Sequence, residues 1–206
     1  MSYELRCASY ILGNFYLKTK DKYKCTNIKL QQLVTIAHLR KLYMTGYPLF
    51  DSSVMITPYG FKLQSIAKFF PIEICGDYEV RKIIRPEEIR NFKKTKLGDA
   101  FDGGLQFVMD EDDKWLRETF CRFGAYSAKD LAIMINKMAL VFYERESCVL
   151  SWDFLRLHLK EYIDKDMGHK NSISNFIKNG LWLNKYLDEY NKYKDEINKI
   201  GDWSYV

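Results

Sequence analysis

Residues 26–51 read TNIKLQQLVTIAHLRKLYMTGYPLFD, and the fold follows from how this stretch begins, repeats and stops. Thr26 can accept a backbone N–H from the first helical turn, which is what an N-cap residue supplies. Leu30, Leu33, Val34 and Ala37 then fall on one helical face, with Leu42 and Met44 near the end of the stripe. Gly46 and Pro48 end the helix, because glycine tolerates the left-handed closing residue and proline cannot continue the ladder.

Upstream, Cys7, Ile11 and Phe15 are spaced four apart beside Ala8 and Leu12, so residues 3–17 are predicted to form a first amphipathic helix despite Gly13. The connection KTKDKYKC would join the two helices as an antiparallel pair. Downstream, VMIT at 54–57, FPIEI at 70–74 and VRKII at 80–84 are candidate strands of a small hairpin or three-stranded patch. Thr57-Pro58-Tyr59-Gly60 should be a turn, and Phe61 to Phe69 a short helix. Pro86 fits the first turn of a helix PEEIRNF, and residues 93–104 read as a surface loop. Asp110 to Phe123 is predicted to be a helix with Trp115, Leu116 and Phe120 inward and Gly124 as its stop. Ser127 with Asp130 makes an acidic capping box for a helix carrying Leu131, Met134, Ile135, Met138 and Phe142 along one stripe. Ser151 caps WDFLRLHLKEYI, and after a polar break Leu183, Tyr186, Tyr190, Tyr193, Ile197 and Ile200 recur in a short heptad-like seam.

The chain has 206 residues, 47% of them apolar and 16% aromatic, enough to bury a core. The expected fold class is mainly α (α+β): a compact helical domain over residues 1–150 with a small β element, and a C-terminal helical extension over 151–206 packed on it. No run of about 18 apolar residues spans a bilayer and MSYELRC lacks the pattern of a secretion signal, so a cytoplasmic protein with no membrane partner is expected.

A second segment, Arg122-Phe123-Gly124-Ala125-Tyr126-Ser127-Ala128-Lys129-Asp130-Leu131, completes a pattern begun by Thr26-Asn27-Ile28-Lys29-Leu30-Gln31-Gln32-Leu33-Val34 and Pro48-Leu49-Phe50-Asp51. In this order the segments resemble the Panacea domain, the SocA-like antitoxin family, over roughly residues 5–142. Members typically carry a Thr-Asn-Leu-Lys-Leu-Gln-Lys-Leu-Leu helix, a Pro-Leu-Phe-Asp segment, and later an acidic helix, a Tyr-Gly-like corner and a Ser-Ala helix start. The family's Trp-Lys-Tyr-Gly-Pro-Val element survives here only as Thr57-Pro58-Tyr59-Gly60-Phe61, and its later Thr-His pair has no equivalent near Ile135-Asn136. The resemblance implies a non-enzymatic protein-interaction module that binds and neutralises a cognate toxin, encoded by an adjacent gene, either directly or by presenting it to a cellular protease as SocA itself does. Lys29, Gln31 and Phe50 match its motif and each can equally organise the fold, while Tyr43, Tyr47 and Tyr59 are candidate aromatic anchors.

The chemistry of the remaining residues is sparse. No phosphate loop, nucleophile elbow or paired-acid motif is present, so catalysis and cofactors are not expected. Cys7, Cys25, Cys75, Cys121 and Cys148 are odd in number and far apart, which favours reduced thiols. His38, His158 and His169 show no metal-ligand spacing, and no metal site is expected. Cys25, near the cations of residues 18–24, is a candidate thiolate with His38 as its base, although without a third orienting group core packing is the better reading. The run Asp110-Glu111-Asp112-Asp113 suits a helix N-terminus better than a cation, since it lacks the glycine and distant glutamate of a calcium loop.

Charge is uneven: residues 1–50 carry eight basic and two acidic side chains, whereas residues 101–150 carry six and nine. Lys18, Lys20, Lys22 and Lys24, with Lys93, Lys94 and Lys96, form a possible basic patch among aromatic residues. The competing function is therefore a phage- or mobile-element-associated regulator that binds nucleic acid through this face.

Overall fold

A computed structural model describes residues 2–19, 25–57, 60–69, 73–75, 78–80, 110–145, 149–165 and 173–179. Its helices are α1 (Tyr3–Thr19), α2 (Asn27–Thr45), α3 (Gln64–Phe69), α4 (Asp110–Phe123), α5 (Ala128–Arg145), α6 (Trp152–Lys165) and α7 (Ile173–Asn179). The strands are β1 (Val54–Thr57), β2 (Gly60–Lys62), β3 (Glu73–Cys75), β4 (Tyr78–Val80) and β5 (Val149–Leu150). The architecture is mainly α with a small antiparallel sheet, as the sequence patterns predict.

Helix α2 is the hub. Thr26 caps it from extended backbone, its Oγ1 accepting from the Lys29 N–H at 3.2 Å. At the other end Gly46 adopts φ 75° and its N–H closes onto the Leu42 carbonyl at 2.9 Å. Between the caps every residue from Asn27 to Arg40 is buried. The stripe at Leu30, Leu33, Val34 and Ala37 is thus only part of the buried surface. The helix touches α1, α3, α4, α5, α6, α7 and β2, so its polar side chains are enclosed together with its apolar ones.

The other expected caps form as well. Ser127 Oγ accepts from the Asp130 N–H at 3.1 Å and donates to its carboxylate at 2.6 Å, and Ser151 Oγ accepts from the Phe154 N–H at 3.2 Å.

The sheet differs from the sequence reading. Its order is β2-β1-β5, with Thr57 opposite Gly60 and Val54 opposite Leu150, so its third strand comes from residues 149–150. The segments at 70–74 and 80–84 do not supply it. Within the described residues they contribute instead to a separate hairpin, with Glu73 opposite Val80 and Cys75 opposite Tyr78. Phe61 also belongs to β2, and the short helix starts only at Gln64. Gly60 sits at φ 105°, and a Cβ there would meet Ile135 Cγ2 at 3.0 Å, so the β2 edge can lie against α5 only because it has no side chain at this point.

One apolar core joins the seven helices and the β2-β1-β5 sheet. It runs from Leu5, Ile11 and Leu33 through Leu116, Phe123 and Leu131 to Leu159, Ile163, Phe176 and Ile177. Helices α6 and α7 therefore bury their apolar faces in the same core as residues before 151. The seam at 183–200, the PEEIRNF helix and the loop at 93–104 lie outside the described residues.

Candidate functional site

Two kinds of feature surround α2: charged side chains buried as clamps, and an aromatic surface where the helix ends.

Lys29 is the first clamp. It is 3% exposed, and its Nζ donates to the Gly124 carbonyl at 2.6 Å, just beyond the C-terminus of α4. An ammonium suits that place because the last carbonyls of a helix lack intrahelical partners and carry the negative end of its dipole. Burial holds the Lys29 pKa below its usual value. Gly124 in turn has no room for a side chain, since a Cβ would lie 2.5 Å from the Phe120 carbonyl oxygen. Lys29 thereby ties together the two sequence segments that carry the antitoxin resemblance.

Arg40 is the second clamp. Its Nε donates to Glu118 at 2.8 Å, and its Nη1 donates to the carbonyls of Phe176 and Ile177, each at 2.9 Å. Its guanidinium lies 5.0 Å from the Phe176 ring centroid and 5.5 Å from that of Trp115. One fork thus fastens α2 to α4 and α7, a geometry for which a planar guanidinium is suited and an ammonium is not.

Asp112 completes the set. It is 2% exposed, accepting from the Tyr3 hydroxyl at 2.8 Å and pairing with Lys41 Nζ at 2.7 Å. The acidic run at 110–113 therefore supplies a buried anchor for α1, α2 and α4, and Asp113 pairs along its own helix with Arg117 at 3.3 Å. Among the described residues, no group of three or more His, Cys, Asp or Glu side chains is placed to hold a metal ion.

The aromatic surface lies where α2 ends near α6 and α7. Tyr47 is 73% and Met44 49% exposed. Thr45 Oγ1 steadies the turn, donating to the Lys41 carbonyl at 2.8 Å and accepting from the Tyr47 N–H at 3.1 Å. Tyr43 is partly buried, its hydroxyl donating to Asp164 Oδ1 at 3.4 Å, and Lys178 Nζ meets the same oxygen at 2.7 Å. Burial, then the Asp164 charge, raises the Tyr43 pKa, while the Lys178 hydrogen bond lowers that of Asp164.

Of the other residues singled out by sequence, Gln31 and Phe50 are inside. Gln31 Oε1 accepts from the Leu63 N–H at 3.0 Å, and Phe50 stacks on His38 with centroids 4.2 Å apart. Tyr59, Lys20, Lys22, Lys24, Lys93, Lys94 and Lys96 lie outside the described residues, and the side chain of Lys18, in the last turn of α1, does too. The candidate Cys25–His38 pair has the wrong electrostatics for a nucleophile and base. Burial pushes the Cys25 thiol up to about 12, outweighing the opposing pull of Lys29, and pushes the His38 imidazole down to about 3. A thiol in that state is protonated at neutral pH and unreactive.

Sequence reading passed over Arg40 and Lys41, and placed Asp112 at a helix N-terminus without its buried contacts to Tyr3 and Lys41. A signal for Arg40 exists, since it stands three residues after Ala37 and seven after Leu33, on the apolar stripe itself. No helix among the described residues is long and apolar enough to cross a membrane. No protein-family model, curated protein or solved structure matches the chain.

Proposed function

We propose that this chain is a non-enzymatic protein-interaction module that binds and neutralises a cognate toxin in the cytoplasm, in the manner of the SocA-like antitoxins its sequence resembles. The observation that carries the proposal is the surface at Tyr43, Met44 and Tyr47. Two large side chains stand well out of the surface there beside a partly buried tyrosine, and the Asp164–Lys178 pair forms a charged rim. Tyrosines with apolar neighbours at the centre of a contact and charged groups at its edge are what protein interfaces use as anchors. The surface is also pre-organised, because the buried α2 and the left-handed Gly46 fix where Tyr47 leaves the helix. The Lys29–Gly124 contact adds support by packing together the segments on which the family resemblance rests.

Co-expression with the product of the adjacent gene tests the proposal. That product should arrest growth alone, be neutralised by this chain and co-purify with it. The Tyr47→Ala variant, altered at an exposed position, should fold normally and lose protection. A harmless neighbour, or a toxic one that forms no complex, would overturn the reading.

A further inference from the structure

Helix α6 carries two faces with apolar side chains. Leu155, Leu159 and Ile163 are buried in the core. Phe154, Leu157, His158 and Glu161, at i, i+3, i+4 and i+7, share a second face turned away from those three. Leu157 there is 69% exposed, and the half-buried rings of Phe154 and His158 lie with centroids 4.4 Å apart. A single exposed leucine is ordinary, but a leucine beside an aromatic pair at this spacing makes a stripe of the kind on which a neighbouring helix packs.

The chain itself supplies a matching stripe. Its point of departure from α7 is fixed beside the C-terminal end of α6, because Arg40 holds the Phe176 and Ile177 carbonyls and Lys178 Nζ meets Asp164 Oδ1 at 2.7 Å. Leu183, the first residue of the apolar seam, comes four residues after Asn179, a reach of at most about 14 Å. Read backwards along α6 from Asp164, the residues Glu161, Leu157 and Phe154 follow at intervals of 3, 4 and 3; read forwards from Leu183, Tyr186, Tyr190 and Tyr193 follow at 3, 4 and 3. An antiparallel helix starting beside Asp164 therefore sets Tyr186 against Glu161, Tyr190 against Leu157 and Tyr193 against Phe154. Tyrosine suits such a face, since its ring covers apolar surface while its hydroxyl can donate to a carboxylate at the edge.

We infer that residues 183–200 dock as a helix, antiparallel to α6, on the face formed by Phe154, Leu157, His158 and Glu161 of the same chain. The short tether decides the occupant. It keeps the seam at a high effective concentration beside α6, so covering Leu157 requires no association with a second molecule. This contact uses none of Tyr43, Met44 and Tyr47, and it stands whether or not a toxin binds there.

Hydrogen exchange and methyl-to-ring Overhauser spectra of the full chain test it. In the parent, amides of 183–200 should be protected, and the Leu157 methyls should show a cross-peak to the Tyr190 ring. Leu157→Lys places a charge in the contact at a position that otherwise faces solvent. It should lower the protection of 183–200 by roughly tenfold or more while the amides of α2 keep theirs. Unprotected 183–200 amides in the parent, no Leu157–Tyr190 cross-peak, or protection indifferent to Leu157→Lys would each overturn the inference. Protection that appears only as concentration rises, with a doubled sedimenting mass, would also overturn it by assigning the face to a second copy. The cross-peak in the parent decides the matter even if the variant folds poorly.

Discussion

Replacing Lys29 by methionine keeps most of the side-chain volume while removing the ammonium, so it isolates the clamp on Gly124. Two terms oppose. Loss of a charged hydrogen bond at 2.6 Å, with the buried Gly124 carbonyl left unsatisfied, costs about 1.5–3 kcal/mol. Relief from holding an ammonium 3% exposed offsets part of that cost, as the lowered Lys29 pKa indicates. The net expectation is a loss of about 1–2 kcal/mol, or a fall of roughly 2–8 °C in melting temperature for a chain of this size. Lys29→Ala adds a cavity where the methylenes were and should lose about 2–4 kcal/mol in all. Urea denaturation followed by circular dichroism reads both, with unchanged slopes showing that stability alone has moved. The reasoning fails if Lys29→Met is as stable as the parent or more so, because the buried charge would then be a net burden and some other group would satisfy Gly124.

The other predictions concern neighbouring features. Arg40→Ala orphans the Phe176 and Ile177 carbonyls and frees Glu118, which is partly exposed, so a loss of about 2–4 kcal/mol is expected. Hydrogen exchange should show amides 173–179 losing protection first, and uniform loss across the chain would argue against a local clamp. Gly124→Ala forces a Cβ to within 2.5 Å of the Phe120 carbonyl and should cost about 1–3 kcal/mol, whereas an unshifted melting temperature would mean the corner yields freely. For pH, His38 is held near 3 in the fold against about 6.5 unfolded. The unfolded chain therefore binds the extra proton between those values. Protonation of His38 in the unfolded chain matters little above pH 7 and lowers stability increasingly as pH falls, by about 2 kcal/mol at pH 5. The stability difference between the parent and His38→Gln should be constant above pH 7 and change below pH 6 as the parent loses stability, and a difference that stays constant down to pH 5 would contradict the burial of a neutral imidazole.

What the sequence made legible was local. Thr26, Ser127 and Ser151 cap helices through bonds that reach three residues, so composition and spacing found them. Gly46 and Gly124 stop helices for equally local reasons. The contacts that close the fold span far greater separations. Lys29 meets a carbonyl 95 residues away, and Arg40 meets carbonyls 136 and 137 residues away. Strand β5 has only two residues, too few for alternation to show, and exists because β1 offers it an edge. The candidate surface was legible in part for the same reason. Tyr47 stands just after the glycine that ends α2 and points outward as expected, whereas the motif-matching Lys29, Gln31 and Phe50 lie inside, a distinction set by α3 to α7 closing around the helix.

The central claim is that a protein partner docks on the end of α2, and titration calorimetry of the purified chain with the adjacent gene's product tests it most directly. A saturable complex is predicted, weakened by at least tenfold in Tyr47→Ala, about 1.4 kcal/mol, and further in Met44→Ala/Tyr47→Ala, with the fold of each variant intact by circular dichroism. No heat of binding, or an affinity indifferent to both substitutions, would contradict the account.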